Sequence, residues 1–142
     1  MSSNNVQFSV AVHIMQVLCV HSDKRVVSSL ITESVNTDAG TVRTVLSKLA
    51  KAGLVLTTRG RGGSSALARP ADQISLLDIY HAVTSQTVFL IHTHPVEQDC
   101  IVSTHHKQTL CSVLADCQRT FEASLSDRKL ADVVGPMRLG GG

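Results

Sequence analysis

The sequence predicts a mainly α fold with a small β-hairpin: a winged helix-turn-helix domain followed by a long C-terminal dimerisation helix. Three features point there. Two short helical stretches meet at the tight turn Val35-Asn36-Thr37, a glycine-dense turn from Gly60 to Gly63 separates two alternating stretches, and an apolar stripe repeats at steps of three and four beyond them.

Val6, Val10, Ile14, Val17 and Leu18 recur at helical spacing and predict a first amphipathic helix up to Val20. The polar residues Ser22 to Lys24 break it. A second helix is expected from Ser28, whose hydroxyl can cap it, through Leu30, Ile31 and Ser34. A third opens with Thr37 as cap and Asp38 in the positive first turn, buries Val42, Val45, Leu46 and Leu49, and stops at Gly53. Leu54 to Arg59 and Ser64 to Ala68 are the expected hairpin strands, ended by Pro70. Ser75-Leu76-Leu77-Asp78 is a capping box for a helix through Val83. Periodicity is lost from Thr84 to Ser103, where His92, His94 and Pro95 interrupt the run, so a loop is expected. From about Thr104 to Ser126 the residues Leu110, Val113, Leu114, Cys117, Phe121 and Leu125 form one stripe, read as a dimer interface because a stripe beyond the compact domain needs a partner.

Composition supports a partner subunit. The 142 residues are 43% hydrophobic but only 3% aromatic, so the core must be built from Val, Leu, Ile and Ala and is thin. The formal charge of +2 says little by itself. Its distribution says more: Arg43, Lys48, Lys51, Arg59, Arg61 and Arg69 share the interval 43–69 with no acidic residue. A basic recognition helix followed by a glycine-rich basic wing predicts double-stranded DNA as partner. Thr41, Arg43 and Thr44 are the candidates for base edges, and Lys48 and Lys51 for phosphates. Ser28, at the start of the second helix, joins the DNA-binding set. At the wing tip, Gly62 and Gly63 allow close backbone approach, while Arg59 and Arg61 neutralise phosphates or enter a narrow minor groove. The expected organisation is a DNA-binding domain at 1–83, a sensor loop at 84–103, a dimerisation helix region at 104–134 and a flexible tail at 135–142.

Other classes are disfavoured. The wing glycines lack the Gly-Lys-Ser/Thr ending of a phosphate loop, and no nucleophile, base and orienting acid share a motif, so no enzyme is expected. One tyrosine and three phenylalanines in apolar stripes or loops make no stacking platform for RNA. No apolar run approaches the length needed to span a bilayer, and the N-terminus lacks a basic leader, so no membrane contact and a cytoplasmic location are expected. In a reducing compartment Cys19, Cys100, Cys111 and Cys117 are free thiols. Cys19 and Cys117 are read as small core residues, while Cys100, in a polar loop with His92, His94, His105 and His106 nearby, is the candidate sensor thiol. Cys111 and Cys117 lie roughly 240° apart around a helix axis and do not readily close on one cluster. No metal site is expected from the histidines, and no cofactor.

Ala52-Gly53-Leu54-Val55, Arg59-Gly60-Arg61-Gly62-Gly63, Leu67-Ala68-Arg69-Pro70 and Ile74-Ser75-Leu76-Leu77-Asp78-Ile79 resemble the wing and following helix of the Rrf2 family. The likeness continues from Cys100 to Val133. It departs at Ser64 and Ser65, where the family usually has Gly-Tyr. The family comprises dimeric winged-helix repressors, among them the iron-sulfur cluster regulator and the nitric-oxide-sensing repressor. The resemblance implies a dimer through the C-terminal helix and a palindromic operator. Cluster-binding members carry three closely spaced cysteines ahead of the long helix, where this chain has only Cys100. The expected function is therefore a homodimeric repressor answering a redox or small-molecule signal through the Cys100 region. A winged-helix protein-protein adaptor and an iron-sulfur-dependent regulator are the alternatives.

Overall fold

The structure, a computed structural model, describes residues 3–58, 63–135 and 137, with side chains from Val6 onward. Helix α1 (Ser3–Val20) is followed by strand β1 (Val26–Val27), α2 (Ser28–Val35), α3 (Ala39–Lys51), β2 (Val55–Thr57) and β3 (Ser64–Leu67). A short 3-10 turn at Ala71–Gln73, α4 (Leu76–Val83), α5 (Ile101–Ser126) and a second 3-10 turn at Leu130–Val133 complete it.

The α2–α3 turn closes on Asn36, which takes the left-handed conformation at φ 61° and returns its N–H to the Thr32 carbonyl. A short polar side chain tolerates that conformation better than most. Asp38, not Thr37, caps α3: its carboxylate accepts the Thr41 N–H at 2.9 Å and the Thr41 hydroxyl at 2.7 Å. Those two bonds hold the Asp38 carboxyl below the ordinary carboxylate value. Val27 precedes α2 without a side-chain cap, so Ser28 is its first residue and not its cap. The Ser75 and Asp78 side chains form the expected reciprocal capping box at α4.

The sheet is three-stranded and antiparallel in the order β1-β3-β2. Val55 pairs with Leu67 and Thr57 with Ser65, as the hairpin pattern requires. The third strand is new: Val26 and Val27 pair with Ser65 and Ser64. Two residues are too few to show a period, and only pairing makes them a strand. The core joins Ile14, Met15 and Leu18 of α1 to Ile31, Val45, Leu49, Leu54 and Ile79, and Cys19 lies inside it as expected.

Two boundaries differ from expectation. Helix α5 begins at Ile101, three residues early, because the Cys100 sulfur accepts the Ser103 N–H at 3.4 Å and caps it. The chain beyond α5 also returns to the first domain. Leu130 is fully buried, its N–H bonds to the Ile74 carbonyl at 2.8 Å, and the Gln16 amide reaches the Val133 carbonyl at 3.0 Å. Leu130 and Val134 thus join the core of the N-terminal unit, although the expected organisation placed 104–134 together as a dimerisation helix region. Of the glycine tail, 138–142 lies outside the described residues.

Candidate nucleic-acid interface

A cleft of about 880 Å³ separates α3 from the wing strands and the start of α2. Arg43, Ser47 and Lys51 line its α3 wall at intervals of four residues, one ridge of the helix, facing Thr58, Ser64 and Ser65. Arg43 and Lys51 are exposed. The other wall is braced: the Ser28 N–H and hydroxyl both donate to the Gly63 carbonyl, at 3.2 and 3.3 Å. Arg25 holds β3 to β2 by donating to the Ser64 hydroxyl at 3.1 Å and the Leu56 carbonyl at 3.5 Å. Neither the brace nor Ser47 was legible in the sequence, since each depends on which strand lies opposite.

The expected site residues divide accordingly. Arg43 lines the cleft, whereas Thr44 is exposed beside it, 100° further round the helix. Thr41 is half-buried with its hydroxyl committed to Asp38. Lys48 faces α1, where its ammonium donates to the Gln7 amide oxygen at 2.6 Å. Ser28 and Gly63 meet at the wing's base. Arg59, Arg61 and Gly62 lie outside the described residues. Arg69 turns away from the cleft and bonds the Gln73 carbonyl at 3.3 Å, with Asp78 at 3.9 Å.

The residues of the expected dimer stripe differ in exposure. Leu125 is 9% exposed and belongs to its own protomer's core, a correction to its place in the interface set. Phe121 stands edge-on to Tyr80 with ring centroids 5.6 Å apart, yet keeps an exposed edge. Leu110 and Leu114 are half-buried, while Cys117 and Val113 are exposed. Cys117 is therefore not a core residue of the protomer.

Cys100 is exposed at the head of α5. Of the histidines, His92 packs against His94 and His106, with ring centroids 4.9 and 5.2 Å apart. Among the described residues no three His, Cys, Asp or Glu side chains are placed to hold a metal ion. The cysteines do not form a donor set for an iron-sulfur cluster either. Cys19 is buried in the core, Cys100 caps α5, and Cys111 and Cys117 lie at least ten residues along that helix. No helix among the described residues is long and apolar enough to cross a membrane.

Residues 4–136 match the Rrf2 family, described as "Iron-dependent Transcriptional regulator". The chain is 34% identical over 131 residues to the Bacillus subtilis "Putative HTH-type transcriptional regulator YwnA", covering 92% of this chain and 96% of YwnA. The crystal structure of a "putative transcriptional regulator" from Lactobacillus plantarum superposes with a TM-score of 0.79 at 26% identity, over 93% of this chain and 89% of that one. IscR of T. potens shares the fold, with a TM-score of 0.69 at 22% identity over 96% and 87% of the two chains. The winged helix, the cleft and these likenesses agree: the chain belongs to the Rrf2 family of transcription regulators.

Proposed function

We propose that the protein is a homodimeric repressor that binds a palindromic operator, with α3 in the major groove and the wing on the adjacent backbone. The observation that carries this is the Arg43-Ser47-Lys51 ridge facing a braced wing strand across an open cleft. A helix supplies base contacts from one ridge, and cations on it meet phosphates or guanine edges. A single module contacts too few bases for operator-level affinity, so two are held about one turn of DNA apart. The exposed apolar edge of α5, with Val113 56% and Phe121 39% exposed, supports pairing through that helix. Bound there, the dimer blocks access to the DNA it covers. The signal enters through residues 84–103, where Cys100 is the exposed thiol at the head of α5.

The test is selection of duplexes from a random pool, followed by affinity measured against salt. Two half-sites about 10 base pairs apart and a steep loss of affinity between about 50 and 200 mM salt are expected. A protein-protein adaptor would return no enriched duplex.

A further inference from the structure

The first turn of α3 has little to offer a base. Val42 is buried, Gly40 has no side chain, and both donors of Thr41 are taken by the Asp38 carboxylate, the N–H at 2.9 Å and the hydroxyl at 2.7 Å. What is left is the Ala39 methyl group, exposed and lining the cleft. Ala39 also heads the ridge on which Arg43, Ser47 and Lys51 follow at steps of four. Glycine at 40 leaves that methyl unscreened, and a Cβ there would stand 3.0 Å from Asp38 Oδ2, against the carboxylate that caps the helix.

We propose that Ala39 reads the 5-methyl group of one thymine in each half-site, which makes an A·T pair at that position a specificity determinant of the operator. This rests on the operator-binding reading above and adds the identity of one base to it. Thymine is the one base with a methyl group on its major-groove edge, and an alanine side chain recognises it by apolar contact. A carbonyl or amine edge pressed on the Ala39 methyl would lose its water and gain no partner.

Charge keeps a phosphate from taking the same place. A helix N-terminus ordinarily draws one, but the bonds from Thr41 hold the Asp38 carboxyl below the usual carboxylate value, and the resulting charge repels phosphate. Helix geometry then sets where the thymine lies. Four residues of α-helix rise about 6 Å and one base-pair step about 3.4 Å, so the methyl lies within about two base pairs of the base that Arg43 contacts.

The test uses the full-length protein and the duplex it selects from a random pool. Each thymine of that duplex is replaced in turn by deoxyuridine, which removes the methyl group and leaves the pairing edge unchanged, and affinity is read by fluorescence anisotropy. One thymine per half-site, within about two base pairs of the position that Arg43→Ala relaxes, should lose about fourfold in affinity, the effect of one buried methyl. Changing both half-sites should lose about sixteenfold. In Ala39→Gly the same exchange should alter affinity by less than about twofold, because the methyl that met it is gone. Ala39→Ser, with a higher helix propensity than glycine, should also fall below about twofold, and circular dichroism verifies that both variants are folded. No sensitive thymine, equal losses at every thymine, or a loss undiminished in both variants each overturns the contact and leaves the operator reading in place. A pool with no enriched duplex removes the operator reading and the methyl contact together.

Discussion

The Lys48 ammonium and the Gln7 amide oxygen lie 2.6 Å apart, which turns one of the two lysines of α3 onto α1 and leaves Lys51 alone of the pair facing the cleft. Three residues of spacing place them 300° apart around the helix, so they share an edge but not a neighbour. Their contributions to DNA binding should differ accordingly.

Replacing Lys51 by Ala should flatten the slope of log affinity against log salt by about 1 unit per protomer, because one phosphate contact is lost from each. Replacing Lys48 by Ala should leave the slope unchanged and lower thermal stability slightly, through the lost tether to α1. Anisotropy titrations across a salt series measure both. Equal slopes for the two variants would mean that the cleft does not set the phosphate contacts.

Arg43 is exposed on the cleft ridge in the first turns of α3, the place from which a side chain reaches base edges. A bidentate contact to guanine is worth about 1–3 kcal/mol of discrimination. Arg43→Ala should therefore relax preference at one position in each half-site. Repeating the duplex selection with the variant checks this, and an unaltered motif with undiminished specificity counts against the assignment.

Much of this was legible in the sequence, and the physical reason is locality. The α3 stripe, the Ser75-Asp78 box and the two hairpin strands are each written within a few residues, so period and capping chemistry reveal them. What escaped depends on distant partners. Val26 and Val27 become a strand only against Ser64 and Ser65, and Leu130 becomes core only by docking on Ile74. The same limit applies to the site: Arg43 was readable as an exposed cation, but Ser47 gains its place from the wing opposite, and Thr41 loses its hydroxyl to Asp38. On α5 the period marks an apolar face without saying which side of it meets the protomer's own α4.

His92 should titrate below the ordinary histidine value of 6.5. Desolvation against its neighbours lowers it first, followed by repulsion from His94, His106 and Lys107. A lowered histidine favours the neutral form in the fold, so its stabilising contribution is full above the unfolded value and is lost as pH falls from there through the folded one. Acidification should thus loosen the segment that Lys107 ties to the His94 carbonyl at 2.8 Å. Imidazole proton shifts followed by NMR give the midpoint, which His106→Gln should raise. A midpoint at or above 6.5 in the unaltered protein contradicts the arrangement.

The dimer prediction now rests on one edge of α5. Leu125 is in the core and Phe121 leans on Tyr80, so charging either would damage the protomer and the interface together. Val113 is 56% exposed, on the side of the helix away from Cys111, and is not among the residues of the protomer's core or those packed against it. Burying such a side chain contributes on the order of 1.5 kcal/mol, and in a two-fold interface each substitution occurs twice. The Val113→Glu variant should sediment as a folded monomer, keep its circular dichroism and lose operator affinity by at least about a hundredfold, since the two recognition helices are no longer held together. A folded dimer of unchanged mass would move the interface off this edge of α5.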